Sequence, residues 1–239
     1  MSCTTWTPPA LSSEAAAWRG RVWRMVEQQH VAATMKLVDD RDEQDLLEQL
    51  LDAAKPALPA PAADLHVLLA TPLRYPPRHG GSRFRSAADP GVFYGAQTLR
   101  TAAAELGYWR WRFLLDAVAL ERLGPVAHTA FRVEITTRAV DLRAPPFDVD
   151  AALWRHSSDY APTQQLARVA RAAGIGAIVY RSVRDPQPAW CLALLDAAGF
   201  ASTRPEPQRQ TWYLAVTRDE IVWRRDGESM RFAGAETPP

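Results

Sequence analysis

The chain has 239 residues, of which 47% are apolar and 23% charged; this suits one substantial globular domain and excludes a disordered or fibrous chain. Twenty-eight basic and 27 acidic side chains give a formal net charge of +1, which removes the broad electrostatic case for nucleic acid or an anionic membrane as partner. Cys3 and Cys191 are the only cysteines and no run approaches ~18 consecutive apolar residues, so a disulfide framework, a zinc cluster and a spanning helix are all excluded and a soluble cytoplasmic protein is expected.

The first sixty residues read as helical. Ser12 and Ser13 are candidate caps for a helix carrying Trp18, Val22, Met25, Val26 and Gln29, whose apolar members recur at helical spacing. A second helix, after Asp39 and Asp40, places Leu46, Leu47, Leu50, Leu51 and Ala54 on one face and stops at Lys55-Pro56, as a residue before proline tends to. PALPAPAA (56–63) reads as a semi-rigid connector and a candidate boundary.

LHVLLA (65–70) suits a short buried strand. Residues 71–91 hold four prolines and three glycines and read as a long loop, of the kind that is functional or disordered in compact domains. VFY (92–94) reads as a strand end, followed by a helix from about Thr98 to Leu120 with Leu99, Ala102, Leu106, Trp109 and Phe113 as its stripe. FRVEI (131–135) alternates as a half-buried strand does. A helix after Pro162 carries Leu166, Val169, Ala170 and Ala173 and ends at Gly174. AIVY (177–180) and CLALL (191–195) read as buried strands, and WYLAV (212–216) with EIVWR (220–224) as a hairpin. Strands outnumber crossover helices, so the fold class expected is α+β with a mixed, mainly antiparallel sheet.

Common catalytic signatures are missing. There is no phosphate-binding P-loop, no HExxH, no CxxC and no G-x-S-x-G; GIG (174–176) lacks its third glycine and precedes a strand. His30, His66, His79, His128 and His156 are scattered without metal-ligand spacing, so no metal is expected. Lys36 and Lys55 are the only lysines, so 26 of the 28 basic residues are arginines; residue type alone therefore does not single out an anion site. The arginines of RVWR (21–24) and RWRF (110–113) are expected on solvated faces, and Trp109 and Trp111 in packing rather than in base stacking.

Three residues form a candidate constellation. Arg83 sits in GGSRFR, at the end of a glycine-rich loop where backbone can approach a ligand. Tyr94 ends a strand. Glu105 lies about two turns into the next helix, on the shoulder of its apolar stripe, where a half-buried carboxylate needs a partner.

The runs RY (74–75), GGSRFR (80–85), GVFYGAQTLRTAAAE (91–105) and GIGAIVYRSVRDP (174–186) together resemble the RES domain, a family named for an Arg, a Glu and a Ser that match Arg83, Glu105 and Ser182 here. The resemblance extends over most of residues 65–220, and WRMVEQQHVAATMKLVD (23–39) is similar to the N-terminal portion of longer members. The short gap between Arg74 and Arg83 departs from the family pattern. The organisation it implies is an N-terminal helical segment over 1–60 and a RES domain over 61–239, with a fold like that of ADP-ribosyltransferases.

The resemblance also implies a function. RES proteins are NAD-consuming toxins of two-gene toxin–antitoxin systems. Some cleave NAD by phosphorolysis, with inorganic phosphate as co-substrate, giving ADP-ribose 1″-phosphate and nicotinamide; others are described as protein ADP-ribosyltransferases. The implied partner is an antitoxin with an Xre-like helix-turn-helix domain whose C-terminal part occludes the toxin's pocket, so that DNA is contacted only through the antitoxin. Breaking the nicotinamide–ribose bond gives an oxocarbenium-like transition state, which Glu105 would stabilise. Arg83 and Arg74 would bind the diphosphate. Tyr94 and Tyr75 would offer aromatic faces, and Ser182 would bond the ribose or hold the incoming phosphate. Nicotinamide leaves from a cationic ring and needs no strong general acid, in keeping with a constellation that lacks histidine. A non-catalytic protein that assembles through its first sixty residues is the contrasting reading.

Overall fold

The structure of the protein, a computed structural model, is described for residues 6–28, 40–75, 81–187 and 189–234. Cys3, Gln29, His30, Lys36, Pro76, Pro77, His79 and Gly80 lie outside these residues.

Eight strands make one sheet in the order β1-β2-β5-β4-β3-β6-β7-β8. They are β1 (Ala16–Glu27), β2 (Phe93–Ala96), β3 (Arg122–Asp141), β4 (Ala177–Arg181), β5 (Trp190–Leu194), β6 (Gln210–Thr217), β7 (Glu220–Arg225) and β8 (Glu228–Ala233). Only β3 and β4 run parallel, so the sheet is mixed and mainly antiparallel, as the sequence led us to expect. β1 pairs with both β2 and β3, which closes β1-β2-β5-β4-β3 into a ring from which β6-β7-β8 extends. The long β3 is the spine: residues 128–139 pair with β1, 122–130 with β6 and 139–141 with β4.

The helices are α1 (Pro8–Ser13), α2 (Arg41–Ala53), α3 (Val67–Arg74), α4 (Leu99–Asp116), α5 (Ala151–Trp154) and α6 (Ala161–Ala172). Ile178 and Tyr180 of β4 join the core that contains Ala103, Trp111 and Leu166 of α4 and α6. Ala177 and Val179 join a second core with Phe131, Val133, Ile135 and, from α3, Leu69 and Leu73. A strand covered on both faces needs apolar residues at every position, which accounts for the unbroken AIVY.

Two elements differ from their sequence reading. Residues 16–27 form β1 rather than a helix, with twelve consecutive partners on β3 from Ala16↔Ala139 to Glu27↔His128. Trp18, Val22, Met25 and Val26 satisfy helical spacing, but tertiary pairing prevails over a local period. The preceding helix is α1, capped by Thr7, and Ser12 and Ser13 close it rather than open one. LHVLLA contributes to α3 instead of a strand: the His66 side chain accepts the Leu68 N–H at the helix start, and a short apolar run is compatible with either state.

On α4 the buried face is Thr101, Ala102, Ala103, Ala104, Gly107, Trp111 and Leu114, rotated from the expected stripe. The reason is close packing against β7. A Cβ on Gly107 would meet Ile221 at 2.7 Å, and the Trp223 indole donates to the Ala103 carbonyl at 3.2 Å. Small residues therefore face the sheet, and Leu106 and Trp109 turn towards the cavity described below. No helix among the described residues is long and apolar enough to cross a membrane.

Candidate active site

A cavity of about 200 Å³ opens between β1, β2, α4 and the segment around Tyr160. Arg83, Tyr94 and Glu105, far apart in sequence, all line it.

Arg83 sits in a tight loop that the rest of the fold grips from behind. Gly81 starts the loop at φ +97°, a conformation side chains rarely adopt. Ser82 and Arg85 then form an isolated bridge. The first turn of α6 holds the loop: Thr163 Oγ1 donates to the Arg83 carbonyl, and Gln164 Nε2 donates to the Ser82 carbonyl at 3.0 Å and the Arg85 carbonyl at 3.2 Å. The Arg83 side chain is 7% exposed. Its Nη1 donates to the carbonyls of Trp154 (2.8 Å) and His156 (3.0 Å), and its guanidinium lies 4.8 Å from the Tyr160 ring.

Tyr94, on β2, ties that loop to the sheet. Its hydroxyl accepts the Phe84 N–H at 3.0 Å and is 2.8 Å from Ser82 Oγ; burial pushes its pKa up. Glu105 is half-buried on α4. Its Oε1 accepts from Ser182 Oγ at 2.7 Å and from Cys191 Sγ at 3.8 Å. Burial pushes the Cys191 thiol well above its ordinary value, with Glu105 adding to the effect, so Cys191 stays a neutral donor.

A family model described as RES domain matches residues 58–217. The chain belongs to the RES domain family. Among solved structures, a chain in the crystal structure of the M. tuberculosis MbcT-MbcA toxin-antitoxin complex is similar over 85% of this chain and 90% of its own, at 12% sequence identity and a TM-score of 0.49. No curated protein matches.

Ser182 of this RES domain stands behind Glu105 rather than on the cavity wall. It is 5% exposed. Its one proton goes to Glu105, and its oxygen receives the N–H groups of Arg184 (3.3 Å) and Asp185 (3.2 Å). A hydroxyl has one donor and two acceptor positions, so all three are in use. Asp185, 8% exposed, fastens the same turn to α4: Thr101 Oγ1 donates to its Oδ2 at 2.9 Å, and Arg100 Nε lies 3.4 Å from its Oδ1. Thr101 and Glu105 are four residues apart, on one face of α4.

Arg74 and Tyr75 are not among the residues that line the cavity. Arg74 ends α3, and its Nε donates to the Pro56 carbonyl. Tyr75 is 38% exposed; it lines a second hollow of about 630 Å³, with Arg85 and Val92.

Sequence reasoning missed three residues. Arg24, which was expected on a solvated face as part of RVWR, lines both hollows. Its Nη1 donates to the Tyr94 carbonyl at 2.7 Å, its Nε is buried without a partner, and burial lowers its pKa to about 10. Tyr160 and Arg184 also line the cavity. Trp111 is buried and donates to the Arg218 carbonyl at 2.8 Å, whereas Trp109 stands 47% exposed on the rim. Nothing in RVWR or SVRDP separates Arg24 or Arg184 from the other 24 arginines of the sequence; only the folded chain brings them to the cavity.

Glu105 is the single acid among the residues lining the cavity, against Arg24, Arg83 and Arg184. None of these arginines is in an ion pair with a described carboxylate. The cavity therefore suits an anionic ligand held beside one fixed carboxylate. His66, His128 and His156 lie outside it, and no group of three or more His, Cys, Asp or Glu that could hold a metal occurs among the described residues.

Proposed function

We propose that this RES domain cleaves NAD at the bond between nicotinamide and ribose, and that it acts as the toxin of a two-gene system restrained by an antitoxin with an Xre-like helix-turn-helix domain. The carrying observation is Glu105: a carboxylate held by the Ser182 hydroxyl at 2.7 Å and set among three arginines that lack acid partners. Family membership supports the same reading.

Each group then has a task. The C1′–N bond breaks with its electron pair moving onto the nicotinamide nitrogen, so the departing ring becomes neutral and takes no proton. Glu105 faces the charge that develops on the ribose, and fixing its carboxylate in advance lowers the barrier because no reorganisation is needed at the moment of reaction. Arg83 and Arg24 hold the diphosphate, with Arg24 at the junction through which the adenosine half passes to the larger hollow. Tyr94, Tyr160 and Trp109 provide aromatic walls for nicotinamide and ribose. An acceptor oxygen adds to C1′; phosphate as acceptor gives ADP-ribose 1″-phosphate.

The test is incubation of the purified protein with NAD, with and without phosphate. Phosphate-dependent nicotinamide release is expected. Label from NAD appearing on a protein band would replace phosphorolysis by protein ADP-ribosylation, and NAD left intact with and without partner would remove the enzymatic reading.

A further inference from the structure

Ser182 has no capacity left for a ligand, since Glu105 takes its proton and two backbone N–H groups occupy its oxygen. The residue two positions on is built differently. Arg184 lines the cavity yet is only 8% exposed. Its Nη2 donates to the Ser157 carbonyl and, at 3.2 Å, faces the Tyr160 hydroxyl. The guanidinium carbon lies 3.5 Å from the centre of the Tyr108 ring, so the plane of the fork is fixed. Its Nη1 is buried with no hydrogen-bond partner, and no described carboxylate pairs with the side chain.

A merely structural arginine would have both nitrogens engaged, because a buried cationic N–H without an acceptor is unfavourable. Here one terminal nitrogen is anchored and the other is buried without a partner, on a side chain that lines the cavity holding Glu105. A rigid, always-charged fork with an unpaired donor suits a phosphoryl oxygen. We infer that Arg184 binds a phosphoryl oxyanion through its unpaired Nη1. This rests on the NAD-cleaving reading for its role in turnover, though not for the anion binding itself. The oxyanion is either the diphosphate of the dinucleotide or the free phosphate that adds to C1′.

The test has two arms. In the first, thermal melting of the full chain is followed with inorganic phosphate and, separately, with pyrophosphate. Wild type should be stabilised by at least one of them, and Arg184→Gln should lose that stabilisation. In the second, nicotinamide release is measured while NAD and phosphate are varied in turn. Loss of one charge-assisted hydrogen bond should raise the affected half-saturation about 10- to 100-fold. A rise for phosphate alone assigns the acceptor, and a rise for NAD alone assigns the diphosphate. Arg184→Lys keeps the charge and should retain part of the effect; it also decides the matter if Arg184→Gln does not fold. A folded variant that both anions stabilise as they do wild type would overturn the inference. Wild type that binds either anion but releases no nicotinamide would instead overturn the NAD reading and leave the anion site standing.

Discussion

Ser182→Ala separates two roles that its position in the sequence leaves open. If Ser182 touches substrate, its loss and that of Glu105 act independently. If it acts by holding the carboxylate, as its 2.7 Å bond to Oε1 and two backbone N–H donors suggest, its contribution disappears once Glu105 is gone. A hydrogen bond to a charged group contributes about 1.5–3 kcal/mol, so Ser182→Ala should slow nicotinamide release about 10- to 150-fold. The loss should fall on kcat, with the KM for NAD nearly unchanged, because a displaced carboxylate weakens transition-state stabilisation more than ground-state binding. The variant also orphans the N–H groups of Arg184 and Asp185, so its melting temperature should fall. The decisive measurement is the double-mutant cycle with Glu105→Ala: the double variant should be no slower than Glu105→Ala alone. Losses that multiply, or a change confined to KM, would refute the reasoning and return Ser182 to the substrate.

Three further perturbations follow from the same geometry. Thr101→Val keeps the shape but removes the hydroxyl that donates to the buried Asp185; it should cost roughly 1–3 kcal/mol in urea unfolding and slow turnover by loosening the 182–185 turn. Asp89 is pushed up by burial, but hydrogen bonds from Arg168 and Ser86 outweigh this and lower its carboxyl from 3.8 to about 2. Its stabilising effect is thus present above about pH 4 and is lost as pH falls through about 2. Asp89→Asn should cost about 1 kcal/mol at pH 7, allowing for solvent screening at half-exposed Arg168, and should flatten the acid limb of the stability profile. Arg74→Ala removes a guanidinium bonded to the Pro56 carbonyl outside the cavity; the KM for NAD should stay within about threefold of wild type, and a tenfold rise would bring Arg74 into the site.

The elements that were legible are those whose own residues determine their surroundings. AIVY and CLALL are apolar at every position because β4 and β5 are covered on both faces, and the β6–β7 hairpin carries its turn between two runs. β1 was not legible because its determinant is β3, more than a hundred residues away. Nothing local distinguishes Trp18, Val22, Met25 and Val26 on a strand from the same residues on a helix. α4 was placed along the chain to within about a turn of its end, but not about its axis: Ala103, Ala104 and Gly107 are buried while Trp109 and Phe113 are exposed, so size alone does not mark the buried side and closeness of approach becomes a packing criterion.

The same distinction applies to the candidate site. Arg83, Tyr94 and Glu105 were singled out from a glycine loop, a strand end and a helix shoulder, and the resemblance added Ser182; the first three line one cavity and Ser182 stands behind Glu105. Arg24 and Arg184 were hidden among 26 arginines, since what sets them apart is a buried nitrogen without a partner on a side chain that lines the cavity, which appears only when the chain is folded. Arg19, Arg132 and Arg168 each have an acid within 3.0 Å. An arginine that has been buried but left unpaired has given up hydration without a compensating ion pair. Such a cost is recovered when a ligand brings the counter-charge, so the arginines that stand unpaired at the cavity are the groups with most to gain from an anionic ligand.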